Sequence, residues 1–401
     1  MSEVVNIPQL RFPEFNGEWE EKALGVVATI TTGSTPSTSN NEYYDGDVAF
    51  VSPADIQGNR IVRSTKTTIT ELGLSVVREI KKRSTLFVCI GSTIGKVSQA
   101  GVNCATNQQI NALTAKNSFD NDFIYSLLEF KAPRIKLLAG VQAVPQINKS
   151  EFSRFKFTFP LLPEQQKIAA FLTAVDNKIE QLSKKQELLG EYKKGLMQQI
   201  FSQAIRFKAD DGCDFPDWEE KSLGELFNYK NGGSFENEVV KDGLYNLITL
   251  NSITIDGELK NEHKKINSFD NSLKINDLIM VLSDVAHGNF LGLTAIIPED
   301  NSYVLNQRMG ALKSKGLNNV VFLRLLINYN QKYFKLHGQG SSQQNLSKGD
   351  ILKFELLLPN RNEQQKIANF LSSIDTKIEQ VGKQLRESKQ FKKALLQQMF
   401  V

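Results

Sequence analysis

The sequence predicts an α/β protein of the α+β kind: two repeated small mixed-sheet domains joined by two long helices that pair as an antiparallel coiled coil. Three observations carry this. Residues 164–201 and 363–401 are two versions of one amphipathic helix, the segments ahead of them repeat at the same interval, and the short alternating apolar runs inside each half have the period of strands.

The helix reads EQQKIAAFLTAVDNKIEQLSKKQELLGEYKKGLMQQIF at its first occurrence and EQQKIANFLSSIDTKIEQVGKQLRESKQFKKALLQQMFV at its second. Glu164 to Ala169 recur as Glu363 to Ala368, an offset of 199 that still holds where Phe201 matches Phe400. Steps of four and three give a heptad seam of Ile168, Leu172, Val175, Ile179, Leu182, Leu189 and Leu196 in one copy. In the other they give Ile367, Leu371, Ile374, Ile378, Val381, Leu385 and Leu395. Polar residues interrupt the seam near Gln186/Lys193 and Ser388/Lys392. Neither stretch holds a proline, and each spans about 57 Å as a helix. A helix with one apolar stripe is marginal alone in water, so each needs a partner. The other copy supplies one; the alternative is that each stripe packs on a separate globular body.

The segments ahead of the helices justify the two domains. Trp19, Glu20, Glu21, Lys22, Leu24 and Gly25 meet Trp218, Glu219, Glu220, Lys221, Leu223 and Gly224 at the same offset of 199, and Gly33 meets Gly232. The predicted organisation is a first domain over 1–160, a helix over 161–205, a second domain over 206–359 and a second helix over 360–401. Pro160 and Pro359 stand just before the helices and stiffen the approach to them. The runs DVAFVSPADI, NRIVRST, TLFVCIGST and GKVSQAG predict strands, and the segment 122–138 predicts a helix that buries Phe123, Leu127 and Leu128.

With 401 residues and 40% apolar content the chain has enough material for two cores, and its net charge of +4 is compatible with nucleic acid without demanding it. No apolar run is long enough to cross a membrane, and the first residues lack the basic start and apolar core of an export signal. Cys89, Cys104 and Cys213 have no CxxC spacing, so neither a disulfide framework nor a zinc site is expected, and the predicted location is the reducing cytoplasm. His263, His287 and His337 are far apart in sequence and have no paired carboxylates at ligand spacing, which argues against catalytic or metal roles.

Between Arg60 and Lys96 the chain carries eight basic residues (Arg60, Arg63, Lys66, Arg78, Lys81, Lys82, Arg83, Lys96) against Glu71 and Glu79. This is either a solvated face or a phosphate-tracking surface. Gly91-Ser92-Thr93-Ile94-Gly95-Lys96 resembles a phosphate loop but has three residues between its glycines and Val97 after the lysine. ATP binding is therefore rejected, and the segment reads as a strand, an exposed turn carrying Ser92, Thr93 and Lys96, and a second strand. NQQINAL at 107–113 repeats as NQRMGAL at 306–312. Gln108 and Gln307, with the asparagines before them, have the geometry to read adenine edges, or they satisfy backbone groups at a strand end. In the second half Lys264, Lys265, His287, Asn289 and Arg308 are the remaining polar candidates. The scaffold repeats while these loops differ, so the two domains should bind unlike surfaces.

Taken together, these residues resemble the specificity subunit of a Type I restriction-modification enzyme, a protein of two target recognition domains alternating with two conserved long helices. The resemblance spans essentially the full length. It rests on the openings over 10–33 with TTGSTP and 223–233 with KNGGS, the Asn107-Gln108 and Asn306-Gln307 blocks, the segment Gln343 to Lys348, and above all the two EQQKIAxFL helix starts, each followed by Asp-x-Lys-Ile-Glu-Gln. The first half departs from this pattern, with Pro145-Gln-Ile-Asn-Lys149 where the second has Gln344-Asn-Leu-Ser-Lys348. The resemblance implies a non-catalytic DNA-binding subunit. The partners it implies are double-stranded DNA, two adenine-N6 methyltransferase subunits and, optionally, two restriction subunits. On the same resemblance, S-adenosylmethionine, ATP and magnesium are expected in those partners and no cofactor in this chain. It also implies a bipartite, asymmetric target whose spacer the helices set. Phe171, Tyr192, Phe370 and Phe391, beside the seam, are the expected methyltransferase docking positions. The competing reading is a protein-interaction adaptor, two α/β modules on a coiled-coil spacer, for which sequence-specific DNA binding is not expected.

Overall fold

The computed structural model describes residues 6–139, 145–285 and 288–401. The chain forms two compact units that do not follow chain order: Met1–Glu187 with Gln380–Val401, and Leu188–Glu379. The helices expected over 161–205 and 360–401 are continuous elements, Leu162–Phe201 and Arg361–Met399, and each contributes residues to both units.

In the first unit a five-stranded sheet runs in the order Ala28–Thr32, Ile110–Ala115, Thr85–Val88, Val97–Ala100, Ile61–Val62. All its pairings are antiparallel except the last. A three-stranded sheet of Thr67–Ile69, Tyr44–Val51 and Cys104–Thr106 includes one parallel pair. Strand periodicity assigns the central sheet two buried faces. Phe87, Cys89 and Leu113 enter the cluster shared with the helix Asn121–Leu138 and the long helices, while Leu86, Val88 and Ala112 enter a cluster on the other side. Phe123, Leu127 and Leu128 are fully buried, as the helical phase predicted.

The second unit repeats this plan with an antiparallel sheet in the order Phe227–Asn231, Met309–Ser314, Leu278–Val281, Thr294–Ile296. Leu278 and Met280 face the helix Val320–Tyr329, and Ile279 and Val281 face the opposite cluster.

Within each unit the long helices run antiparallel. In the first, Lys392 pairs with Asp176 at 2.6 Å, and ten residues further along each helix Gly382 lies against Gln186. In the second, Lys193 pairs with Asp375 at 2.5 Å, and Ile200 shares a core with Ile367 and Leu371. Every predicted seam residue is buried or half-buried. The polar interruptions at Lys193 and Lys392 are the cross-helix ion pairs, and they repeat because Asp176 and Asp375 repeat with them. Gln186 has room in the seam because its neighbour is a glycine. The helix ends carry the same relation to the domains. Phe400 packs on Phe123, Phe130 and Trp19 in the first unit, and Phe201 packs on Phe322 and Tyr329 in the second.

The EQQ start fixes each helix to its domain. Buried Glu164 accepts hydrogen bonds from Arg11 Nε and Nη2 at 2.8 Å each and from Trp19 Nε1 at 3.3 Å. Glu363 accepts from Arg206 Nε at 3.2 Å, Arg206 Nη2 at 2.8 Å and Trp218 Nε1 at 3.1 Å. The next residue closes the strand-to-helix turn, since Gln165 donates to the Pro160 carbonyl and Gln364 to the Pro359 carbonyl, both at 2.8 Å. A carboxylate with no exposed surface and three donors is costly to neutralise. Glu363→Gln is expected to destabilise the second unit by about 2 kcal/mol, seen as a lower urea midpoint in the fluorescence of Trp218. An unmoved midpoint would show that the clamp is dispensable.

Candidate nucleic-acid interface

At one end of each central sheet four chain segments converge, and two of them, the glycine turn and the Asn-Gln turn, are segments the sequence repeats. In the first unit Gly33 and Ser34 donate to the carbonyls of Ile110 and Thr106 at 3.0 and 2.9 Å. In the second, Gly232 and Gly233 donate to Met309 and Leu305, both at 3.0 Å. A Cβ on Gly33 would lie 2.2 Å from the Asn107 carbonyl oxygen, and one on Gly232 would lie 2.0 Å from that of Asn306. The glycines are there because the two turns touch. The third segment follows the inner strand. Cys89 N–H donates to Gln109 and its carbonyl accepts from Ile147, as Leu282 donates to Arg308 and accepts from Leu346. Through these bonds the fourth segment, Pro145–Asn148 or Gln343–Leu346, joins the same end. In the second unit it forms a ribbon of Ser283–Val285 with Gln343–Asn345.

The candidate residues divide by this geometry. Gln108 is exposed beside the glycine turn and accepts from Thr35 Oγ1 at 2.7 Å. Ser92 and half-buried Thr93 stand in the turn between the strands Thr85–Val88 and Val97–Ala100, as expected for a segment that is not a phosphate loop. Lys96 reaches the Pro53 carbonyl at 3.2 Å, and the Lys66 N–H donates to Asp55 at 2.9 Å, so both lysines flank the turn at 52–55 that follows Val51, itself bonded to Asn107. Hydrogen bonds from Lys66, Ser52 and Asp55's own backbone hold the Asp55 carboxyl below the usual range, outweighing burial, which pushes it up.

Arg60 and Arg63 lie elsewhere. Arg60 lies against the first long helix with its side chain 9% exposed, at 3.0 Å from both Asp122 and Asp176, with its guanidinium over the Tyr125 ring. Its charge is committed to carboxylates inside the unit, so it holds the domain on the helix and is not displayed to solvent. Arg63 pairs with Glu180 on the same helix at 2.8 Å while remaining largely exposed.

In the second unit Gln307 and Arg308 are exposed on the turn, whereas Asn306 is buried, accepting from Phe235 N–H at 3.1 Å and donating to Glu236 at 2.8 Å. Asn306 thus takes the backbone-satisfying role. Lys264 pairs with Glu236 and holds its carboxyl below the usual range, and Lys265 donates to Asn246 at 2.8 Å. Asn289 accepts from Lys335 at 3.2 Å. His287 lies outside the described residues. Sequence reasoning missed Glu236, which no repeat marks, and Thr35, whose role emerges only when the glycine turn meets Gln108.

Burial pushes the Cys89 and Cys104 thiols up to about 12, which leaves them without thiolate character. Among the described residues no group of three or more His, Cys, Asp and Glu side chains has the arrangement of a metal site, and no helix is long and apolar enough to cross a membrane. Of the aromatics beside the seam, Phe171 meets Phe12 and Phe370 meets Phe207 within their own units, while Tyr192 and Phe391 are more than half exposed.

The Type I restriction modification DNA specificity domain family matches the chain twice, over residues 16–189 and 216–387. The chain belongs to this family. Each match takes in one of the convergent sheet ends and most of the long helix that follows it. Similarity to individual members spans from part of the chain to nearly all of it. The MjaVIII specificity subunit of Methanocaldococcus jannaschii is 24% identical over 96% of this chain and 92% of its own. The HindI specificity subunit of Haemophilus influenzae is 29% identical over 40% of this chain and 37% of its own. The S subunit of a Type I restriction-modification system from M. genitalium superposes with a TM-score of 0.65 at 19% identity, covering 98% of this chain and 99% of that one. A chain from a study of complex assembly and conformational transition in a type I R-M system gives 0.57 at 15% identity, over 96% and 97%. These two likenesses establish the fold, including the two domains and long helices that the repeat predicted.

Proposed function

We propose that this specificity-family chain is the subunit that recognises a bipartite, asymmetric DNA target and directs methyltransferase and restriction subunits to it. One observation carries the reading: the same convergent sheet end occurs twice, built on the same hydrogen bonds, and presents different side chains each time. Gln108 with Ser92 and Thr93 faces out in one unit, and Gln307 with Arg308 and the Gln343–Asn345 strand in the other. A repeated scaffold with unlike tips suits two unlike half-sites. Amide and guanidinium groups supply base readout, and Lys66, Lys96, Lys264 and Lys265 supply phosphate contacts. The long helices connect the domains and set the number of unread base pairs. Tyr192 and Phe391 offer exposed aromatic surface for two methyltransferase subunits. Those partners carry S-adenosylmethionine, and the restriction subunits carry ATP and magnesium. The assembly works in the cytoplasm, where its DNA is.

The test is to co-express the chain with its cognate methyltransferase subunit and map N6-methyladenine across a DNA library. Methylation confined to one motif of two unlike half-sites around a fixed spacer is the expected result. A complex that forms but methylates without a bipartite motif, or a chain that forms no complex, would favour the adaptor.

A further inference from the structure

The turn that repeats as Asn-Gln-Gln and Asn-Gln-Arg makes the same backbone hydrogen bonds in both units but ends in different chemistry. In the first, Gln109 is spent on the protein: Nε2 donates to the Ile90 carbonyl at 3.3 Å and Oε1 accepts from Asn107 at 3.0 Å. Its counterpart Arg308 is exposed, and among the described residues no hydrogen bond or ion pair engages its guanidinium. Arg308 also has a φ of +70°, a left-handed conformation that a long L side chain adopts only where the surroundings impose it. The Gln109 carbonyl is held in the same way without a positive φ, so what sets the second turn apart is Asn306, two residues before Arg308, whose side chain is anchored by Phe235 N–H and Glu236. The strained turn leaves Gln307 and Arg308 both exposed.

We propose that Arg308 reads a guanine in the half-site of the second domain, and that the first domain makes no matching contact from Gln109. The assignment rests on the proposed function and sharpens it to one residue and one base. A guanidinium forks onto the O6 and N7 atoms of guanine in the major groove, and neither lysine nor glutamine reproduces that pair of bonds. A phosphate contact is the competing use of the same cation, and the lysine variant separates the two, since an ammonium contacts a phosphate as a guanidinium does but does not fork onto a base edge.

The experiment compares the wild-type chain with R308Q and R308K, each co-expressed with the methyltransferase subunit, by methylation mapping and size-exclusion chromatography. Both variants are expected to assemble normally and keep the first half-site. Preference for one guanine in the second half-site should fall about ten- to a hundredfold. A wild-type motif that persists in both variants, or a second half-site without guanine, overturns the assignment alone. So does R308K matching wild type while R308Q weakens methylation equally at every sequence, the mark of a phosphate contact. An absent bipartite motif with the wild-type chain overturns the proposed function and this assignment together.

Discussion

Replacing Lys392 with alanine is expected to destabilise the first unit by about 3–5 kcal/mol at neutral pH. Lys392 is 8% exposed and its ammonium is bonded to Asp176 and Glu129, so its loss leaves buried carboxylates short of a counter-charge. Asp176 keeps Arg60. Among the described residues Glu129 keeps no other ion-pair partner, so it is the group left uncompensated. The pH dependence follows from its sign. Burial raises the Glu129 carboxyl above its ordinary value, and Lys392 pulls it partly back. A raised carboxyl binds more protons folded than unfolded, so its cost appears as pH rises from the unfolded value through the folded one and vanishes below that interval. Removing Lys392 raises the carboxyl further. The deficit of K392A relative to wild type should therefore be full at pH 8 and shrink towards pH 5 in parallel urea titrations. An equal deficit at both values would assign the loss to packing of the lysine stem.

Inserting one heptad after Glu187 and another after Glu379 is expected to lengthen the preferred spacer by about three base pairs and to leave both half-sites unchanged. These positions are where the chain passes between units. Seven residues add about 10 Å of helix and keep the seam on the same side. An unchanged spacer in the methylation map of this variant, with the complex intact, would remove the helices from any measuring role. A single heptad in one helix alone should instead disrupt pairing, because Lys193 and Asp375 would no longer meet.

The repeat made much of this protein legible before any coordinates. An offset of 199 that holds through the tryptophans, the glycine turns, the NQ blocks and the helices leaves little freedom in the number of domains or the identity of the seam. Strand alternation and helical phase then separated Phe123, Leu127 and Leu128 from the surface, because burial on one face is a one-dimensional property of the chain. Even the interruptions at Lys193 and Lys392 were visible as breaks in the pattern. What the pattern could not reveal was that each break faces an aspartate on the other helix.

The basic run from Arg60 to Lys96 marks the limit. As a composition it is one patch, but the fold sends Arg60 inward to Asp122 and Asp176 and sets Lys66 and Lys96 against the turn at 52–55. Arginines in one stretch of sequence cannot be sorted until the carboxylates they meet, from other elements, are in place. The same holds for Gln109 and Arg308, equivalent in the repeat yet one tied to the backbone and the other displayed. The duplication, the helices and the buried faces were legible in the chain alone, since these follow from local periodicity. Tertiary structure decided which charges are neutralised and which reach solvent, because that depends on partners more than a hundred residues away, such as Asp176 for Arg60 and Glu363 for Arg206.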